Sequence, residues 1–359
     1  MGYLRLILAL SVVIAHSNSI LGINIVGGRV AVQAFFIISG FYMTLILKEK
    51  YIGNNNSYSL FISNRLLRLY PLYWFVLILV IVYSMFVFFN SGGTNFGKLQ
   101  LYLEYFENLE FSSWVFLILS NIFIVFQDMV MFMGLDTNTG ELFFTDNFKE
   151  TNPMLFKFLV IPQAWSVAIE ISFYLIAPFL VRKKLGLILL FILFSISLKY
   201  ILFQYGFTKD PWNQRFFPSE LTFFLLGTIS YHIYSKIKHV KIKPIFLKLV
   251  FSLVIFFTLF YNKMNFDYKY FVYFISLFLS IPFIFLWSKN MRTDRYVGEL
   301  SYPIYISHLF LLMIIKNHKI PIPKQEIGLG LVVFSILFSI LLNELVSKRI
   351  ELIRQRRVG

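Results

Sequence analysis

His16 stands inside the apolar stretch LRLILALSVVIAHSNSILG, and Arg5 precedes it with ten residues between them. Eleven steps of about 100° return to nearly the same helical face, roughly 16 Å further along the axis. A titratable side chain in an apolar run long enough to enter a bilayer is costly to bury, so it marks a functional site by default. A neutral imidazole can take a proton from a hydroxyl or accept an acyl group. The bland alternative is a snorkelling arginine with a histidine hydrogen-bonded between helices.

Four further clusters could carry chemistry. In FISNRLLRLYPLYW, Arg65 and Arg68 sit three apart and project from one helical face. Two guanidiniums there can grip phosphate bidentately, or can act only as topology signals and lipid contacts. Pro71 lacks an amide hydrogen, which suits the first turn of the span that follows. In PQAWSVAIEISFYLIAP, Ser166 and Glu170 share a face, with Trp165 at the entrance. A buried carboxylate such as Glu170 needs a partner; Arg5, Arg65, Arg68 or His16 could supply one, or Glu170 forms a structural ion pair. In GELSYPIYISHLFLL, Tyr302, Tyr305 and His308 repeat every third residue along one stripe, which also fits plain aromatic packing. In GGRVAVQAFFIISGFYM, Ser39-Gly40 permits close helix approach and reads as packing.

These residues must be positioned by membrane helices. The chain is 58% hydrophobic and 14% charged, against about 25% charged for soluble domains. Apolar stretches fall near 4–22, 30–47, 69–89, 112–133, 163–181, 185–203, 219–236, 245–262, 270–288, 301–315 and 326–346. Lys and Arg cluster after 47, 181, 236 and 288 and in the tail, the pattern of cytoplasmic loops. Alternation closes only if residues 90–162 add an even number of crossings. The expectation is an all-α polytopic bundle of about ten transmembrane helices, with 112–133 re-entrant or interfacial. Both termini are then cytoplasmic, and the acidic loop 134–162 lies outside. Residues 1–359 read as one membrane domain with no appended soluble domain.

Composition also excludes. The chain has no Cys, so disulfides, thiolate metal sites and a cysteine nucleophile are out. No HExxH or phosphate-loop pattern occurs, so no metal is expected. The net charge of +15 is spread over short loops rather than an aromatic-interleaved basic domain, which argues against nucleic acid.

Taken in order, these elements resemble the membrane acyltransferase-3 family, which includes bacterial O-acetyltransferases of surface polysaccharide, O-antigen and peptidoglycan. The marks are Arg5 with His16, FFIISGF at 35–41, Arg65-Leu-Leu-Arg68 with Tyr70-Pro71-Leu72-Tyr73, WSVAIEISFYLIAP at 165–178, LSYPIYISH at 300–308, and Ile350-Glu351. Two positions depart from the pattern. Gln33 stands where relatives often carry an acidic residue, and Leu352-Ile353 replace the usual proline after Glu351.

The resemblance implies acyl transfer from cytoplasmic acyl-CoA, most often acetyl-CoA, to a sugar hydroxyl of a cell-surface or lipid-linked glycan in the bacterial inner membrane. On that reading His16 and Glu170 are catalytic, and Arg5, Arg65 and Arg68 hold acyl-CoA. Trp165, Ser166, Tyr302 and His308 then meet the acceptor. A transporter for glycan or lipid using the same buried charges is the alternative from another class. Acylation of a small molecule or lipid differs only in acceptor.

Overall fold

The computed structural model describes residues 1–17, 24–318 and 327–358. Fourteen α-helices follow in chain order: α1 Gly2–His16, α2 Gly28–Glu49, α3 Tyr58–Asn90, α4 Gln100–Glu104, α5 Phe111–Ile122, α6 Trp165–Leu180, α7 Leu185–Gln204, α8 Phe217–Ile237, α9 Pro244–Phe260, α10 Lys269–Ser288, α11 Arg292–Glu299, α12 Ser301–Asn317, α13 Ile327–Leu342 and α14 Lys348–Arg356. One short hairpin, β1 Met133–Leu135 and β2 Leu142–Phe144, pairs antiparallel with Gly134 opposite Phe143. Among the described residues, seven helical segments are long and apolar enough to cross a membrane, and α1 and α9 are shorter apolar helices. Large side chains such as Leu190, Leu193 and Phe194 of α7 are left exposed, as lipid contact requires and water would penalise. The chain is an all-α, multi-pass membrane protein.

Each apolar stretch of the sequence meets a helix, with two corrections. The first stretch ends as helix at His16, so that residue closes α1 instead of lying near its middle; residues 18–22 of the stretch fall outside the described residues. Pro71 does not open a span. It lies inside α3, which begins thirteen residues earlier at Tyr58 and runs 33 residues without interruption. Apolar residues on both sides of Pro71 continue the helix, so one missing backbone donor is absorbed within the turn. The stretch 112–133 is a bent pair, turning by 117° between Phe111–Ile122 and Ile124–Phe132.

Residue contacts divide the chain into two compact units: residues 1–68, 176–193 and 221–359, and residues 69–175 with 194–220. In the second unit the bend after α5 has a clear cause. A helix that stops in apolar surroundings exposes carbonyls that must find donors. Here the Tyr73 hydroxyl donates to the Asn121 carbonyl at 2.5 Å and the Trp74 indole to the Ile122 carbonyl at 2.9 Å. The Asn121 side chain donates to the Phe158 carbonyl at 3.1 Å and accepts the Val160 amide at 2.7 Å. Gln127 in turn donates to Tyr73 at 2.8 Å.

The loop before α8 is braced by charge. Asp210 receives Nε and Nη2 of Arg215 at 2.6 and 3.1 Å, and Lys149 lies 3.4 Å away. Burial acts to raise the Asp210 carboxyl, but the hydrogen bonds and charge of Arg215, with Gln214 and Lys149, hold it below its ordinary value of 3.8.

In the first unit the core is closed by backbone contact. A Cβ on Gly40 of α2 would stand 1.9 Å from the Phe224 carbonyl oxygen of α8, and one on Gly227 would stand 2.0 Å from that of Ile37. Beside this crossing, Thr44 donates to Thr228 at 3.0 Å, and Phe36 stacks on Phe224 with centroids 4.6 Å apart. Ser39-Gly40 is thus the packing seam that the sequence suggests.

Gly40→Ala and Gly227→Ala should each lower the unfolding midpoint of the detergent-solubilised protein. Overpacking costs typically about 1–3 kcal/mol, and no rotamer relieves a clash with a carbonyl. Wild-type melting of both variants would refute the seam. Asp210 supplies a pH-dependent case. A carboxyl with a depressed folded pKa contributes stability that is present above the unfolded value and lost as pH falls through the folded one. Asp210→Asn should therefore melt below wild type at pH 7, and the gap should close once the pH drops below 3.8. An equal gap at every pH would contradict this.

Candidate active site

Arg5, His16, Arg65, Arg68, Tyr302 and His308 all fall in the first unit, and Trp165, Ser166 and Glu170 in the second. Arg5, His16, Tyr302 and His308 of the first set are built on α1 and α12. At the start of α1, a Cβ on Gly2 would fall 1.6 Å from the Asp294 carbonyl oxygen of α11. Only a glycine permits that approach. The Asp294 carboxylate accepts the Tyr3 amide at 3.0 Å and pairs with the Met1 amino group at 2.7 Å. Arg5 then reaches the first residue of α12, donating Nη2 to Ser301 Oγ at 2.8 Å. Ser301 in turn donates to the Gly298 carbonyl at 2.7 Å.

Further along the same two helices, the rings of His16 and His308 meet with centroids 5.0 Å apart and planes inclined by 53°. Arg5 meets Ser301 and His16 meets His308, so α1 and α12 run in the same sense. His308 is fully buried, whereas His16 is exposed at the end of α1.

The hydrogen bonds fix the chemistry of both rings. His16 Nδ1 lies 2.9 Å from the Val12 carbonyl oxygen, and His308 Nδ1 lies 2.7 Å from that of Tyr305. A carbonyl only accepts, so each Nδ1 carries the proton. In each neutral ring Nε2 is then left with its lone pair. The Nε2 of His308 is buried with no hydrogen-bond partner. His308 therefore holds a sealed lone pair, whereas the His16 ring is exposed. Tyr305 lines the stripe with His308, its ring centroid 6.1 Å away, and Tyr302 is half-buried.

Arg65 is buried and Arg68 half-buried at the start of α3. Tyr42 of α2 and Glu299 of α11 lie within electrostatic reach of both Arg5 and Arg68, which draws the two arginines toward one region. In the second unit, Glu170 accepts the Tyr174 hydroxyl at 2.5 Å. Trp165 is buried under the Arg215 guanidinium, 4.1 Å from its ring centre, a cation–π distance. Ser166 is buried one residue further on, its hydroxyl 3.5 Å from the Gln163 carbonyl oxygen. Gln33 of α2 accepts the Tyr270 hydroxyl at 2.8 Å, a bond that its amide oxygen makes without needing a charge.

Sequence reasoning listed Arg5, His16 and His308 without pairing the two histidines, and it missed Ser301. The signal was present: Ser301 and His308 are seven residues apart on one helix, so they share a face.

Among the described residues no three His, Asp or Glu side chains gather into a metal-binding group. The family model described as an acyltransferase domain, of the acyltransferase 3 family, matches residues 1–344. No curated protein and no solved structure matches the chain significantly.

The ring geometry makes a spectroscopic prediction. In protein labelled with ¹⁵N-histidine, the neutral forms of His16 and His308, assigned by single substitution, should report the Nδ1–H tautomer. An Nε2–H tautomer at His16 would contradict the Nδ1 bond to the Val12 carbonyl.

Proposed function

The chain belongs to the acyltransferase 3 family, and on that premise we propose that it is a membrane O-acetyltransferase acting from acetyl-CoA on a hydroxyl of a cell-surface or lipid-linked glycan. The observation that carries the reading is the exposed His16 ring at the end of α1, anchored through Nδ1 and backed by His308. His16 Nε2 serves as general base. It takes the acceptor's hydroxyl proton as the oxygen attacks the thioester carbonyl carbon. The carbon–sulfur bond breaks, and the proton passes on to the departing thiolate. The products are an ester and free CoA thiol, and His16 returns neutral.

Arg5 lies about 16 Å back along the same helix, a separation that suits a ligand with its phosphates at one end and its thioester at the other. Arg5, Arg65 and Arg68 are assigned to the CoA phosphates, which guanidinium forks bind well. Glu170 is assigned a catalytic role, and Trp165, Ser166, Tyr302 and His308 are assigned to the acceptor's surroundings. The family's bacterial members suggest the inner membrane, and the Lys and Arg distribution supports placing the α2–α3 loop and α14 in the cytoplasm, the compartment that holds acyl-CoA.

The test is acetate incorporation from labelled acetyl-CoA into glycan, by membranes carrying each variant at matched expression. His16→Ala should lower transfer by about 10²–10⁴-fold, the usual loss of a general base. His16→Gln should do nearly as badly, because an amide cannot take up the proton. Arg65→Ala and Arg68→Ala should each weaken acetyl-CoA binding about tenfold or more, since a hydrogen bond to a charged group is worth about 1.5–3 kcal/mol. Lysine should rescue poorly at either site. Near wild-type transfer by His16→Ala would place the chemistry elsewhere.

A further inference from the structure

The geometry points to Lys48 of α2 as a site of Nε-acylation, where an acyl thioester such as acetyl-CoA acylates the amine while His232 of α8 takes up its proton. The reaction uses neither His16 nor a glycan acceptor, so it stands apart from the transferase reading above.

The pair is a further rung of the α2–α8 seam. Thr44 donates to Thr228 at 3.0 Å, and Lys48 Nζ lies 3.0 Å from His232 Nε2; both pairs are offset by 184 positions. The two rungs are one turn apart on each helix. The seam that Gly40 and Gly227 close therefore also sets the lysine against the imidazole. Arg182 fixes the end of α2, donating Nη2 to the Leu47 and Tyr51 carbonyls at 3.2 and 2.8 Å. The Lys48 ammonium also stands over the Tyr231 ring, 5.8 Å from its centre, within cation–π range.

Hydrogen bonding assigns the roles in this contact. His232 Nδ1 lies 2.9 Å from the Thr228 carbonyl oxygen. That oxygen only accepts, so Nδ1 carries the proton of the neutral ring. Nε2 then holds the lone pair, and Lys48 is the donor. Two other lysines meet carboxylates instead: Lys238 pairs with Glu49 at 3.0 Å, and Lys348 pairs with Glu344. A carboxylate partner favours the charged ammonium. An imidazole exchanges its proton readily near neutral pH, so it can relay the lysine's proton to solvent. Lys48 and His232 are both half-buried, whereas His308 is sealed.

The ammonium gives one proton to His232 Nε2, which releases it to solvent. The free amine attacks the thioester carbonyl carbon. A carbon–nitrogen bond forms, the carbon–sulfur bond breaks, and the nitrogen's second proton goes to the departing thiolate. The products are Nε-acyl-lysine, a free thiol and one proton in solution. Acylation removes the positive charge, so the Tyr231 ring loses its cation. The new amide N–H can still donate to His232.

The test incubates detergent-solubilised full-length protein with ¹³C-labelled acetyl-CoA and follows Lys48 and Lys50 by peptide mass spectrometry. Lys50 is exposed two residues further on and serves as the reference for unassisted labelling. Lys48 should be acetylated about tenfold faster than Lys50 or more, within what a positioned base supplies. Glutamine accepts a hydrogen bond but takes up no proton. His232→Gln should therefore bring Lys48 down to the Lys50 rate and leave Lys50 unchanged. Protein denatured in sodium dodecyl sulfate should label the two lysines alike, because the pairing needs the seam.

Lys48 labelled no faster than Lys50 in folded wild type overturns the assignment, and that comparison needs no variant. Fast labelling of Lys48 that survives in His232→Gln also overturns it, because the lysine then does without the imidazole. If His232→Gln does not fold, the folded and denatured wild type decide: a Lys48 preference that persists after denaturation overturns the assignment as well.

Discussion

The union of α1 with α11 and α12 is the contact on which the site depends. A 15-residue helix is too short to hold itself in place, so its position comes from what it touches. At one end, glycine lets its backbone lie against that of α11, and Asp294 takes the Tyr3 amide. Arg5 grips Ser301, and at the far end His16 meets His308. The basic and the imidazole ends of α1 are thereby tied to one partner helix. Any relative slide of α1 and α12 would break both contacts together.

The same economy of backbone hydrogen bonding governs the second unit. Asn121 serves as the hub of the break after α5, accepting at its carbonyl and its side chain and donating to Phe158. Tyr73 and Trp74, adjacent on α3, supply the donors that the ended helix demands. An interrupted helix in an apolar setting is permitted only where protein groups replace water. The aromatic run around Pro71 is best understood as that replacement.

Much of this was legible in the sequence, and what was not has identifiable causes. Apolar runs bounded by Lys and Arg gave the helices, because lipid contact leaves no other economical way to satisfy the backbone. The spacing of Arg5 and His16 set them on one face before any partner was known. Pro71 misled because a local rule about helix starts ignored the apolar residues continuing on both sides. The 117° bend after α5 was foreshadowed only by the parity of charged loops, since its cause is donors far away in the chain. The pairing of His16 with His308 joins residues 292 positions apart, and no spacing rule reaches across such a gap.

The shortness of α1 has a consequence for the lipid around it. Fifteen residues rise only about 22 Å, whereas a bilayer's hydrocarbon layer is about 30 Å thick. The helix that carries His16 is therefore about 8 Å shorter than a straight span of that layer. Either the membrane thins around it or neighbouring protein fills the difference. In both cases hydrophobic mismatch falls on α1, so the thickness of the host bilayer bears on the helix that ends at His16.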